Sequence, residues 1–210
     1  MPLDLRSLLA PPHAALLIME CQEGIVGGGG KLGALAEAVE RHGTIARVAR
    51  VLVAARAARV PVFHCTMARR PDGGGAVVNC LLLAATKKGQ GLVPGSPQQE
   101  VVAALRPVDG DYVMSRLHGI TPFHGTELDQ ILRNLGVKTV VATGVSVNVG
   151  ILGLTIDAVN AGYQVIIPRD AVTGTPDEYV DAVFQHTLRL LATVTTTEDV
   201  VRAWASAPPR

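Results

Sequence analysis

Apolar positions along the chain fall into two rhythms. Short unbroken runs at Ala14 to Met19, Val60 to Thr66, Asp111 to Ser115, Thr139 to Gly144, Gln164 to Pro168 and Thr193 to Thr197 read as strands buried on both faces. Between them lie stretches long enough for helices. These run from about Leu32 to Arg59 with a break near Gly43, around Asn79 to Thr86, from Thr126 to Leu135, through Tyr163, from Pro176 to about Leu191, and from Glu198 to Trp204. Leu128, Ile131, Leu132 and Leu135 recur at i, i+3, i+4 and i+7, with Thr126 as N-cap and Gly136 as C-cap glycine. Strand and helix alternate without a linker or an internal repeat. The pattern predicts one domain over 1–210, an α/β fold with a doubly wound, six-stranded parallel sheet and helices on both faces.

The stretch Thr139 to Asp157 is the centre of this reading. A buried strand meets the turn Gly144-Val-Ser-Val-Asn148, and an apolar helix follows, so a strand's carboxyl end and a helix N-terminus point to one place. Other strands deliver Glu20 and Arg116 to the same sheet edge. A carboxylate, a guanidinium and the Ser146 to Gly150 turn therefore converge, either as a working site or as an ion pair tying loops together. Arg69 and Arg70 lie in the loop after the second strand, as solvated charges or as a clamp for a substrate carboxylate. The Gly/Pro-rich segment ending near Pro97 is expected to be a mobile cover.

Composition narrows the partners. Hydrophobic residues make up 48% of the 210, enough for one sizeable core, but aromatics are only 3%, so Val, Leu, Ile and Ala must build it. Nineteen basic against 18 acidic residues give a net charge of +1, which removes the electrostatic case for nucleic acid or acidic membrane. No run resembles a signal peptide or a membrane span, so a cytoplasmic location is expected. Cys21, Cys65 and Cys80 form no CxxC and read as small buried hydrophobes. Gly27 to Gly30 followed by Lys31 fails as a phosphate loop, because Ile25 and Leu32 stand where Gly and Ser or Thr are required. His64, His118 and His124 lack ligand spacing, and no metal or other cofactor is expected.

Three stretches together carry a family resemblance. They are the strand ending in Glu20-Cys-Gln, the basic Arg116 before Pro122-Phe-His-Gly-Thr-Glu-Leu128, and Gly144-Val-Ser-Val-Asn-Val-Gly150 leading to Asp157-Ala-Val-Asn-Ala-Gly-Tyr163. From about Ala14 to Thr197 the chain resembles the isochorismatase-like, or cysteine hydrolase, superfamily. The resemblance implies a six-stranded parallel α/β sandwich, a homo-oligomer (dimer or tetramer), and often a cis peptide between the residues matching Val145 and Ser146. It also implies an Asp, Lys and Cys catalytic set, in which the thiol attacks an amide carbonyl. Here Glu20 stands at the Asp position, Arg116 at the Lys position and Gly150 at the Cys position.

Glycine cannot form a thioester, so the expected chemistry changes. The family's isochorismatases are similar in carrying glycine at this point. There a carboxylic acid protonates an enolpyruvyl vinyl ether and water captures the oxocarbenium ion. The leading expectation is thus a thiol-independent hydrolase for a small carboxylate-bearing substrate, with Glu20 as general acid and Arg116, Arg69 or Arg70 holding carboxylates. Ser146, His118 and the backbone N–H groups of Val149 and Gly150 complete the expected binding set. A second expectation is a catalytically inactive member that binds a small ligand or a partner, and a third is an amidase with its thiol relocated to Cys21 or Cys65. Asn148 is expected to cap the helix after the turn, Asp157 to pair structurally, and the face around Arg47, Arg50 and Arg56 to be solvated or an oligomer contact.

Overall fold

The computed structural model describes residues 4–27, 33–87 and 91–206; most of the tetraglycine together with Lys31 and Leu32 therefore lies outside the described residues. Seven parallel strands form one sheet: β1 (Ala14–Met19), β2 (Val62–Met67), β3 (Tyr112–Arg116), β4 (Thr139–Val145), β5 (Gln164–Pro168), β6 (Val172–Thr173) and β7 (Thr193–Thr195). Six of them run in the order β3-β2-β1-β4-β5-β7, and the two-residue β6 pairs with β4 off that path. The order reverses its direction of growth between β1 and β4, and the carboxyl ends at such a switch point form a crevice.

The unbroken apolar runs become strands because each has a core on both sides. Along β1, Ala14, Leu16 and Ile18 face one cluster while Ala15, Leu17 and Met19 face the other, all six being buried. The first cluster is closed by the Thr44–Ala57 helix through Val48, Val51 and Leu52 and by the Thr197–Ala205 helix through Val200 and Trp204. Trp204 satisfies its buried indole by donating from Nε1 to the carbonyl of Leu9 at 2.9 Å. The second is closed by Leu128 and Leu132 of the Leu128–Asn134 helix, by Leu154 and Ala158 of the Leu152–Asn160 helix, and by Val180, Val183 and Leu188.

Local signals mostly hold, with instructive exceptions. The long Ala- and Arg-rich helix does break at Gly43, which adopts φ +59° between Gly33–Arg41 and Thr44–Ala57. Thr126 sits one residue before the N-cap Glu127; its Oγ1 still accepts from the Leu128 N–H at 3.2 Å. Several short elements carry no periodic signal, among them β6 and the helical turns at Leu5–Leu8 and Glu23–Val26. The face around Arg47, Arg50 and Arg56 is not simply solvated, because the three pair with Asp170, Glu198 and Asp111.

Candidate functional site

The carboxyl ends of β1 and β4 approach too closely for side chains between them. Gly144, opposite Met19 in register, has φ +98°, and a Cβ there would lie 2.2 Å from the Met19 carbonyl oxygen and 3.1 Å from Cys21 Sγ. Only glycine fits such a position. The peptide between Val145 and Ser146 is cis, as the resemblance implies, and the chain then turns through a π-helical segment, Val147–Ile151, into the Leu152–Asn160 helix. Gly150 lies in that turn. A Cβ at Gly150 would meet the Val145 carbonyl oxygen at 3.0 Å and Met19 Cε at 3.2 Å, so a methionine methyl has closed on the direction a side chain would take.

Glu20 leaves β1 in the left-handed region at φ +52°, a conformation that costs a non-glycine residue about 1–3 kcal/mol and persists only where surroundings impose it. Its N–H donates to the Cys65 carbonyl at 2.9 Å, and its Oε1 accepts from Arg116 Nη2. Arg116 ends β3 with its side chain 2% exposed, against 18% for Glu20. Its Nε donates to the Gly119 carbonyl at 3.3 Å, Nη1 to Thr66 at 3.4 Å, and Nη2 also to Ile120 at 3.3 Å. Four contacts against five N–H groups leave one Nη1 hydrogen uncommitted among the described residues. Glu20 Oε2 has no hydrogen-bond partner among the described residues.

The loop that supplies the Gly119 and Ile120 carbonyls is itself latched. Thr121 Oγ1 donates to Asp157 on the Leu152–Asn160 helix, and Gly153 makes room, since a Cβ there would fall 2.6 Å from Thr121 Cγ2. Asp157 thus has the structural role expected of it, with His124 3.7 Å away. On the opposite side Gln22, wholly buried, donates to the Met67 carbonyl at 2.9 Å and to the Gln99 carbonyl at 2.9 Å, and accepts from the Met67 N–H at 2.8 Å.

These elements enclose a cavity of about 70 Å³. Glu20, Arg116, Ser146, Val149 and Gly150 line it with the apolar side chains of Ile25, Leu35, Met67, Leu82, Leu83 and Ile120. The structure therefore brings together Glu20, Arg116, Ser146, Val149 and Gly150, and not the remaining expected binding residues.

Arg70 is exposed and grips Asp72 of its own loop with two bonds of 2.9 and 2.7 Å. Arg69 is not a wall of the cavity, and its N–H donates to the Leu92 carbonyl at 2.7 Å. His118 also stands outside, where Nδ1 accepts from the Val77 N–H at 3.5 Å. The Val149 N–H is already directed at the Ser146 carbonyl, 3.2 Å away, which weakens it as an oxyanion donor. Asn148 does not cap the helix, as its Oδ1 is buried without a partner beside Gly174. The described part of the Gly/Pro-rich segment does not line the cavity: the Leu92 carbonyl accepts from the Arg69 N–H, and just beyond the segment Gln98 and Glu100 accept from Gly24 and Glu23, while Leu82 and Leu83 of the Leu81–Lys87 helix line the cavity.

Cys21 and Cys65, the candidate relocated thiols, are both buried, and neither lines the cavity. Burial, reinforced by Glu20, pushes the Cys21 thiol up to about 12, and burial pushes Cys65 up to about 12 against the pull of Arg116. A thiol so placed carries almost no thiolate at neutral pH. His64 is a core histidine, 1% exposed, with Nε2 3.3 Å from Asp111 Oδ2. Among the described residues no group of three His, Cys, Asp or Glu is placed to hold a metal ion, and no helix is long and apolar enough to cross a membrane.

Sequence reasoning did not find Met19, Gln22, Gly153 or Thr121 as supports of the site. Only Gln22, a polar residue directly after a buried strand end, left a visible signal.

Comparison with known proteins places this geometry among relatives. A family model for the isochorismatase domain matches residues 14–199. A ureidoacrylate amidohydrolase of Methylobacterium radiotolerans is 33% identical over 176 residues, covering 78% of this chain and 68% of the relative. An uncharacterized isochorismatase family protein of Escherichia coli O157:H7 is 28% identical over 190 residues, covering 90% and 95%. The crystal structure of a cysteine hydrolase from Pseudomonas syringae pv. phaseolicola superposes with a TM-score of 0.81 at 26% identity, covering 94% of this chain and 95% of that one.

Proposed function

The chain belongs to the isochorismatase family of hydrolases, and from that premise we propose that it hydrolyses a small carboxylate-bearing substrate without a cysteine nucleophile. One observation carries this reading: Glu20 is anchored through Oε1 by Arg116 while its Oε2 is unengaged at the wall of a cavity that also meets Gly150. A carboxyl group held by one oxygen and open at the other suits a general acid.

Glu20, a carboxylate beside Arg116 in the resting site, takes a proton from solvent on Oε2, and its transfer to the methylene carbon of an enolpyruvyl ether gives an oxocarbenium ion. Water adds to that cation and gives up a proton to solvent, and the resulting hemiketal breaks to pyruvate and an alcohol. Arg116 acts as a positioning residue for Glu20. Its remaining Nη1 hydrogen and the Ser146 hydroxyl are the polar groups left for the substrate carboxylate. The substrate has to displace Leu82 and Leu83, because a cavity of about 70 Å³ admits only its reacting end.

The test is turnover of a panel of enolpyruvyl ethers, with ureidoacrylate as the amide control, before and after iodoacetamide. Turnover of an enolpyruvyl ether that resists iodoacetamide and falls at least about 100-fold in Glu20→Gln supports the reading. Inactivation by iodoacetamide that persists in Cys80→Ser, or full activity in Glu20→Gln, refutes it.

The closed Glu20–Arg116 pair and the small cavity also favour a second reading, a non-catalytic member that binds a small ligand or a partner. That reading gains if no ether or amide turns over while a small carboxylate still raises the melting temperature. Either protein would be one domain over 1–210, cytoplasmic and a homo-oligomer. Ile156, Val159 and Leu190, 42, 38 and 73% exposed, support the last point, which light scattering checks.

A further inference from the structure

Beside the edge strand β3 lies a groove of about 500 Å³, within the range of roughly 300–1,000 Å³ typical of small-molecule sites. Thr66, Glu100, Val101, Arg106, Pro107 and Val113 line it. Thr66 shares a sheet face with Val62 of the first core cluster, by the alternation of β2. The groove is separate from the cavity at Glu20, and Thr66 links the two: its carbonyl accepts from Arg116, and the residue lines the groove.

Three features of the lining ask for a ligand. Thr66 is 2% exposed, yet among the described residues its Oγ1 has no hydrogen-bond partner, a rarity that demands an explanation in a native fold. Glu100 and Arg106 offer opposite charges, and neither side chain is paired with another described residue. By contrast, the groove of about 420 Å³ near Gly174 has its charges spent, with Arg47 on Asp170, Arg169 on Asp181 and His42 on Asp177. Third, Val101, Pro107 and Val113 give an apolar wall, and Val113 is 46% exposed for a β-branched residue in a strand.

A hydroxyl without a partner, one unpaired carboxylate, one unpaired guanidinium and an aliphatic wall match one ligand chemistry. We propose that this groove binds a small zwitterion with an aliphatic body, the class of free apolar α-amino acids. Arg106 receives its carboxylate and Glu100 its ammonium group. Thr66 Oγ1 donates to the carboxylate, and the aliphatic body covers Val113 and Pro107. The binding does not depend on the chemistry at Glu20.

Titration calorimetry of the full chain with L-valine, L-leucine and L-methionine tests this. L-leucinamide, lacking the carboxylate, and 4-methylpentanoate, lacking the ammonium group, serve as matched probes. Saturable binding of at least one of the three amino acids is expected, at least about tenfold tighter than either matched probe. Arg106→Ala and Glu100→Gln should each weaken it by about tenfold or more. Thr66→Val should weaken it several-fold while folding normally, because it replaces an unpartnered hydroxyl by a methyl of the same shape. Absence of saturable binding by all three up to about 10 mM, unchanged affinity in Arg106→Ala, or equal binding of L-leucinamide overturns the proposal.

Discussion

Replacing Arg116 with Met keeps an unbranched apolar stem and removes the guanidinium with its charge. The residue is 2% exposed and its carboxylate partner 18%, so the substitution strands Glu20 in a largely dry site. Breaking a buried pair from one side costs roughly 3–5 kcal/mol, and the residual exposure of Glu20 places the expectation near the lower end, at about 3 kcal/mol. The carbonyls of Gly119, Thr66 and Ile120 lose donors too, but those bonds are long, at 3.3–3.4 Å, and add little. In a chain of this length about 3 kcal/mol lowers the melting temperature by roughly 6–12 °C. Urea unfolding of Arg116→Met, Glu20→Gln and the double variant measures the coupling. The double variant should be more stable than Arg116→Met alone, because no charge is then stranded. A loss under about 1 kcal/mol for Arg116→Met, or strictly additive losses in the double variant, would refute the closed pair.

Native protein treated with iodoacetamide should be alkylated at exposed Cys80 only, with Cys21 and Cys65 reacting after urea unfolding; mass spectrometry of the peptides reads this directly. His64 links stability to pH. Burial, the main cause, holds its pKa below the usual value despite Asp111, so the unfolded chain takes up a proton first as pH falls through about 6.5. Stability present at neutral pH should therefore decline between about pH 7 and 5, and His64→Gln should flatten that slope in urea midpoints; an unchanged slope assigns it elsewhere. Gly144→Ala should give no folded protein, since its Cβ would lie 2.2 Å from the Met19 carbonyl oxygen at φ +98°. A soluble variant with native circular dichroism would show that β1 and β4 can part at this point.

The sheet was legible because its strands are buried on both faces, which produces unbroken apolar runs such as Ala14–Met19 and Thr139–Val145. β6 escaped notice because two residues carry no period. Glu20, Arg116 and Gly150 could be placed on one edge by parallel topology alone. Arg69, Arg70 and His118 could not, since loop residues go where local partners draw them, as Asp72 draws Arg70 and Val77 meets His118. Nor does any one-dimensional pattern report that a methyl of Met19 lies over Gly150, because that contact joins a strand to a turn far along the chain.

Gln22 has a consequence for how the site exchanges with solvent. Its single amide group ties the end of β1 to both backbone groups of Met67 and to the Gln99 carbonyl, so these three segments open together or not at all. The Met67 amide proton should accordingly be among the slowest to exchange near the cavity. Entry is left to the facing wall, where the Leu81–Lys87 helix exposes 90% of Leu81, and the Val77–His118 bond of 3.5 Å ties the preceding loop to Leu117–Gly125. The wall that a ligand would have to move is therefore that short helix, far in sequence from Glu20, Arg116 and Gly150.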